Sequence, residues 1–207
     1  MRTITVTQAL TELKLYDSKI SKALDNSALV GAEKTKSTKI GYITKDEFST
    51  NAKASYQSIC DLIKNRATIK SKVAESNAKT YVTVDGVQMS VAEAIERKNS
   101  IIYDQEFLEE MQRQYDKAVN LANRKNVEVT TQVNKLLETT AGRENTMTKE
   151  QQESIEETYR DNNEFSLVDP LNISEKIKEL QSKIDGFLSN VDVVLSVSNA
   201  TTFIECE

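Results

Sequence analysis

One proline, Pro170, and five glycines are spread over 207 residues. Inside a helix proline costs about 3 kcal/mol and glycine about 1 kcal/mol relative to alanine, so this chain carries almost none of the residues that break one. Its helices are free to run long, and caps or turns must end them. Apolar residues make up 38% of the chain and charged residues 29%, with no tryptophan. That ratio is lean for a thick interior and suits amphipathic helices that each bury a narrow stripe. The expected fold class is mainly α, a long-helix bundle with a small β-hairpin and a short C-terminal strand.

Thr5 and Gln8 have the spacing of a capping box, and Val6, Leu10, Leu13, Ile20 and Leu24 follow at helical intervals, which predicts a first helix near 5–25. Residues 25–43 hold two glycines among small and lysine residues and read as a loop. Thr44 and Glu47 open a second helix, expected to end around 76–79. Its stripe is Phe48, Ala52, Ser55 or Tyr56, Ile59, Leu62 or Ile63, Arg66, Ile69 and Val73. Alternating steps of four and three make a coiled-coil seam, here with one charged position, Arg66.

Residues 81–99 read YVTVDGVQMSVAEAIERKN and change character twice. Tyr81 to Val84 are strand formers, Asp85-Gly86 supplies the positive φ angles of a two-residue turn, and Val87 to Met89 return, so a β-hairpin is predicted over 80–89. Ser90 and Glu93 form a second capping box, after which Ala94, Ile95, Ile101 or Ile102, Leu108, Met111, Tyr115, Ala118 and Leu121 or Ala122 trace a helix. Val129, Val133 and Leu136 extend it more readily than they form a strand. After Pro170, Asn172 and Glu175 look like the cap of a last helix with Ile177, Leu180, Ile184, Phe187 or Leu188, Val191 and Val194 or Leu195. ATTFIECE then reads as a terminal strand. A lone hairpin is marginal in water, so this strand is expected to add to residues 81–89, within one chain or between copies.

The domain reading is a helical body over 1–138, with the hairpin inside it. A polar linker or insertion follows over 139–170, with a short helix at 149–160. The helix and strand of 171–207 are expected to pack back on the body.

The chemistry that is missing narrows the function. Without histidine the chain lacks the commonest general base and metal ligand. Cys60 and Cys206 have no metal-ligand spacing and read as a core thiol and an incidental terminal thiol, in keeping with a reducing, cytoplasmic setting. No glycine-rich phosphate loop or calcium loop is present. Carboxylate pairs such as Glu109 with Glu110 sit in acidic helical runs. The expectation is a protein that is not an enzyme and takes no metal or cofactor. A net charge of −5 argues against general nucleic-acid binding, and no window is apolar enough for a membrane span.

One charge feature stands apart. Lys53, Lys64, Arg66, Lys70, Lys72 and Lys79 are opposed locally only by Asp61 and Glu75. Arg66, Lys70 and Asn77 recur on neighbouring turns, and Arg97, Lys98 and Asn99 follow the hairpin. These six residues are the candidate ligand-binding set for a small anion, with arginine as a fork and lysine as a point charge. Pairing between helices is the competing use of the same charges.

The order of these parts, LTELKLYDSKISKAL and then LIKNRATIKSKVAESNAKTYVTVDGVQMSVAEAIERKNSI, resembles a helical family of uncharacterised bacterial and phage proteins labelled septicolysin. The matching residues are Leu62-Ile63, Ser76-Asn77, Asp85-Gly86, Ser90 and Arg97-Lys98-Asn99, with Asn99 standing where the family commonly has an acid. The ending IDGFLSNVDVVLSVSNATTFIECE is similar to that of phage proteins of Gram-positive hosts mislabelled as ribosomal-RNA biogenesis protein. Together the likenesses cover about two thirds of the chain. They imply a phage-encoded helical homo-oligomer of the host cytoplasm and no established activity. Two roles fit such a protein: sequestering a nucleotide-type immune signal on the basic residues, or serving as an assembly protein of a phage particle through helix–helix association.

Overall fold

The computed structural model describes residues 2–141 and 148–206. In chain order the elements are β1 (Arg2–Thr5), α1 (Val6–Asp25), β2 (Lys39–Ile40), β3 (Ile43–Thr44), α2 (Lys45–Lys79), β4 (Tyr81–Val84), β5 (Val87–Ser90), α3 (Val91–Ala141), α4 (Lys149–Asn163), α5 (Ile173–Thr201) and β6 (Phe203–Cys206). The fold is mainly α, as its scarcity of helix breakers requires. Two compact units divide the chain, Met1–Asn99 with Gly186–Glu207, and Ser100–Asp185. Both boundaries fall within helices, α3 and α5.

Side-chain caps set the helix starts. Thr5 accepts from the Gln8 N–H at 3.2 Å while Gln8 Oε1 accepts from the Thr5 N–H at 2.9 Å. Thr44 accepts from the Glu47 N–H at 3.1 Å. Ser90 and Glu93 exchange the same pair of bonds at 3.1 and 2.7 Å, and Ser90 is only 7% exposed. Folding lowers the pKa of Glu93, chiefly through the Ser90 backbone N–H that its carboxylate accepts. Ser90→Ala leaves a first-turn N–H without its acceptor and is expected to lower the unfolding free energy by about 1 kcal/mol, read as a fall in the urea midpoint. A midpoint equal to the parent's would mean the cap contributes nothing.

The hairpin forms as its turn residues demand. Asp85 and Gly86 take φ values of 50° and 77°, and β4 pairs antiparallel with β5 from Tyr81↔Ser90 to Val84↔Val87. The turn lies against α5. A Cβ added at Gly186 would sit 2.5 Å from Asp85 Cγ, which accounts for a glycine inside that helix.

The terminal strand does not join this hairpin. β6 pairs antiparallel with β1, from Arg2↔Cys206 to Thr5↔Phe203. Thr3, Ile4 and Thr5 are three β-branched residues in a row, a strand signal that the capping box had hidden. Alternation in β6 sends Ile204 and Cys206 inward, where they join Val6, Ala9, Leu13, Ile69 and Val73 in one cluster, flanked by Ile4, Leu10 and Tyr16. The expected roles of the two thiols are therefore reversed. Cys206 is 2% exposed, while Cys60 is half-buried, and both are free. On α1 the packed face includes Ala9, at 0% exposure, whereas Leu24 faces outward.

α3 continues through residues 127–138 as one helix. Its threonines do not break it, because Thr130 and Thr131 hydroxyls donate to the carbonyls of Asn126 and Val127, 2.9 Å each. Ile101, Leu108, Met111, Val129 and Val133 are buried, while Ile95, Ile102, Leu121 and Leu136 are exposed. Within the stretch read as linker, α4 forms under a Thr148–Gln151 capping box, and residues 142–147 lie outside the described residues. The last helix starts differently from the expected Asn172 cap. Asn172 has φ 54°, and the Asp169 carboxylate accepts from the Ile173 N–H at 2.8 Å.

Candidate functional site

α2 and the first turns of α3 carry all six residues expected to bind an anion. Arg66 is half-buried on the seam of α2 and donates to both oxygens of Asp17 on α1. Asp17 in turn raises the guanidinium's pKa further above its ordinary value. Lys98 pairs with Asp192 of α5 at 2.5 Å. Arg97 stands over the Phe187 ring, 5.8 Å from its centroid, in a cation–π contact. Lys70 and Asn99 are exposed and Asn77 is half-buried. Arg66 and Lys98 are thus paired with carboxylates of neighbouring helices, the competing use of these charges.

Two of the open grooves among the described residues lie elsewhere. One, of about 360 Å³, runs between the end of α2 and β6, lined by Lys72, Glu75, Ser76, Lys79, Thr80 and residues 202–205. Its cations are engaged, because Glu75 accepts from Lys79 at 2.6 Å and Lys72 at 3.3 Å. Lys79 and then Lys72 pull the Glu75 pKa below the ordinary carboxylate range. The other, of about 510 Å³, lies between α3 and α4 with Lys125, Gln132, Tyr159 and Phe165 among its walls. None of the six expected residues lines either groove. Among the described residues no three His, Cys, Asp or Glu side chains gather as a metal would need, and no helix is long and apolar enough to cross a membrane.

The feature that reading one stripe per helix missed is a second stripe on α2. Ala52, Ser55, Ile59, Leu62, Arg66, Ile69, Val73 and Ser76 are all buried or half-buried, and they make the seam that meets α1. Offset by one residue from the latter part of this seam runs Tyr56, Cys60, Ile63, Ala67, Lys70, Ala74 and Asn77, again in steps of four and three. One residue is a rotation of about 100°, so this stripe lies to one side of the face that meets α1. Tyr56 is 61% exposed and Ile63 49% exposed, and Ala67, Lys70 and Ala74 are exposed. The two positions where either neighbour fitted the first seam, Ser55 or Tyr56 and Leu62 or Ile63, were the trace of two seams side by side. No protein-family model, curated protein or solved structure matches the chain.

Proposed function

We propose that this protein is a non-enzymatic helical component that works by self-association, as an assembly or scaffolding protein. The observation that carries the reading is the outer stripe of α2. A helix with two seams about 100° apart is built for two helical neighbours, and α1 covers one of them. Tyr56 and Ile63 left in water next to a packed seam are unfavourable in an isolated chain and favourable once a second helix covers them. The phage setting implied by the resemblance places such a component in the host cytoplasm or a particle. Sedimentation velocity over about a hundredfold range of concentration tests it. Association that strengthens with concentration is the expected result, and a single chain throughout overturns the reading.

A second reading, capture of a small anionic nucleotide-type signal without cleavage, is favoured by one observation. Among the described residues no carboxylate pairs with Lys64 or Lys70, although five bases and one acid populate residues 64–79. A thermal shift with cyclic nucleotides that disappears in Lys70→Ala supports it. No shift with any of them removes it.

A further inference from the structure

Resting on the self-association reading, we infer that the outer stripe of α2 is covered by the same stripe of a second copy, running antiparallel. The argument begins with size. Along the stripe large and small residues alternate: Tyr56, Ile63, Lys70 and Asn77 occupy one set of seam positions, and Cys60, Ala67 and Ala74 the other. A parallel, in-register pair would stack large on large, with Tyr56 and Ile63 on themselves, and would leave the alanines facing alanines across a gap. It would also set Lys70 against the other copy's Lys70.

Reversing one helix removes each conflict. Antiparallel coiled-coil seams interleave the two sets of positions, so a large residue meets a small one. With the two-fold axis level with Asn65, Ile63 meets the second copy's Ala67, and Tyr56 meets its Ala74. Lys70 meets its Cys60, one residue from its Asp61. Tyr56, Ile63 and Lys70 then each have a small residue to sit on, which is the shape match a tight helix pair needs.

Charge points the same way. Residues 45–63 hold two bases and three acids, whereas residues 64–79 hold five bases and one acid. Parallel copies would align the basic halves, including Lys64, Lys70 and Lys72. With the axis at Asn65, antiparallel copies lay residues 67–79, with three bases and one acid, along the other copy's residues 51–63, with one base and one acid, and bring Lys70 to Asp61. The stripe is therefore complementary to itself in one orientation only.

Cysteine pairing tests the orientation with the full chain. Lys70→Cys, oxidised under mild conditions, is expected to form a disulfide between Cys60 of one copy and the introduced thiol of the other, mapped by mass spectrometry of the tryptic digest. The linked dimer should become the major species in Lys70→Cys and be absent from the parent chain. A Cys60–Cys60 link in the parent would show parallel pairing and overturn the inference. Association by sedimentation with no link through either thiol would also overturn it, while leaving self-association standing on another face. A chain that stays single in sedimentation removes both.

Discussion

Ile204→Asp is expected to unfold the unit formed by residues 1–99 and 186–207. Ile204 is 6% exposed and lies in the cluster with Val6, Ala9, Leu13, Ile69, Val73 and Cys206. Truncating such a side chain costs about 2–5 kcal/mol, and a carboxylate in its place adds several kcal/mol for a charge with no partner there. The sum rivals the whole stability of a small domain, about 5–15 kcal/mol. The strand cannot escape by slipping one residue, because that turns Glu205 inward and leaves Phe203 facing the core in a different place. Urea unfolding followed by circular dichroism gives the measurement. Ile204→Ala should lose about 2–5 kcal/mol, Ile204→Asp more, and Glu205→Ala, on the exposed side of the same strand, less than about 0.5 kcal/mol. If Ile204→Asp proves as mild as Glu205→Ala, β6 is not part of the core.

The second large effect is on association rather than on folding. Tyr56→Glu combined with Ile63→Glu places two carboxylates on the outer stripe of α2 and leaves the inner seam of Ile59, Leu62, Ile69 and Val73 untouched. Both positions are exposed in the single chain, so its urea midpoint should move little. Burying two unpaired charges between helices should raise the dissociation constant at least about a hundredfold, equivalent to about 2.7 kcal/mol. Val87→Glu supplies the control. That residue is 58% exposed on the hairpin of the same unit and lies off the stripe, so its change should leave association at the parent's strength. Equal association in all three proteins would exclude the α2 face as the interface.

Much of this architecture was legible because local chemistry and tertiary packing agree. The capping boxes at Thr5 and Ser90, the Asp85-Gly86 turn and the seam through Ile59, Ile69 and Val73 are each specified within a few residues. What escaped depends on partners far along the chain. β1 reads as four residues of lead-in to a helix until β6 is laid beside it, and Cys206 reads as an end residue until that pairing turns it inward. The basic set was legible as charge but not as geometry. Nothing local to Arg66 says that Asp17, forty-nine residues away, will meet its guanidinium. The outer stripe was present only as an ambiguity, since Tyr56 and Ile63 fit a first seam almost as well as their neighbours.

The pairing of β1 with β6 also sets an order of events during synthesis. Residues 2–5 leave the ribosome well before residues 203–206, the strand that completes them. At about 5–20 residues per second the nascent N-terminal segment waits roughly 10–40 s for its mate. In that interval Val6, Ala9 and Leu13 have only α2 to shelter them, and residues 100–185 emerge in full. Residues 100–185 are thus available to fold while β1 still lacks its mate, and the ribbon closes only after they have been made.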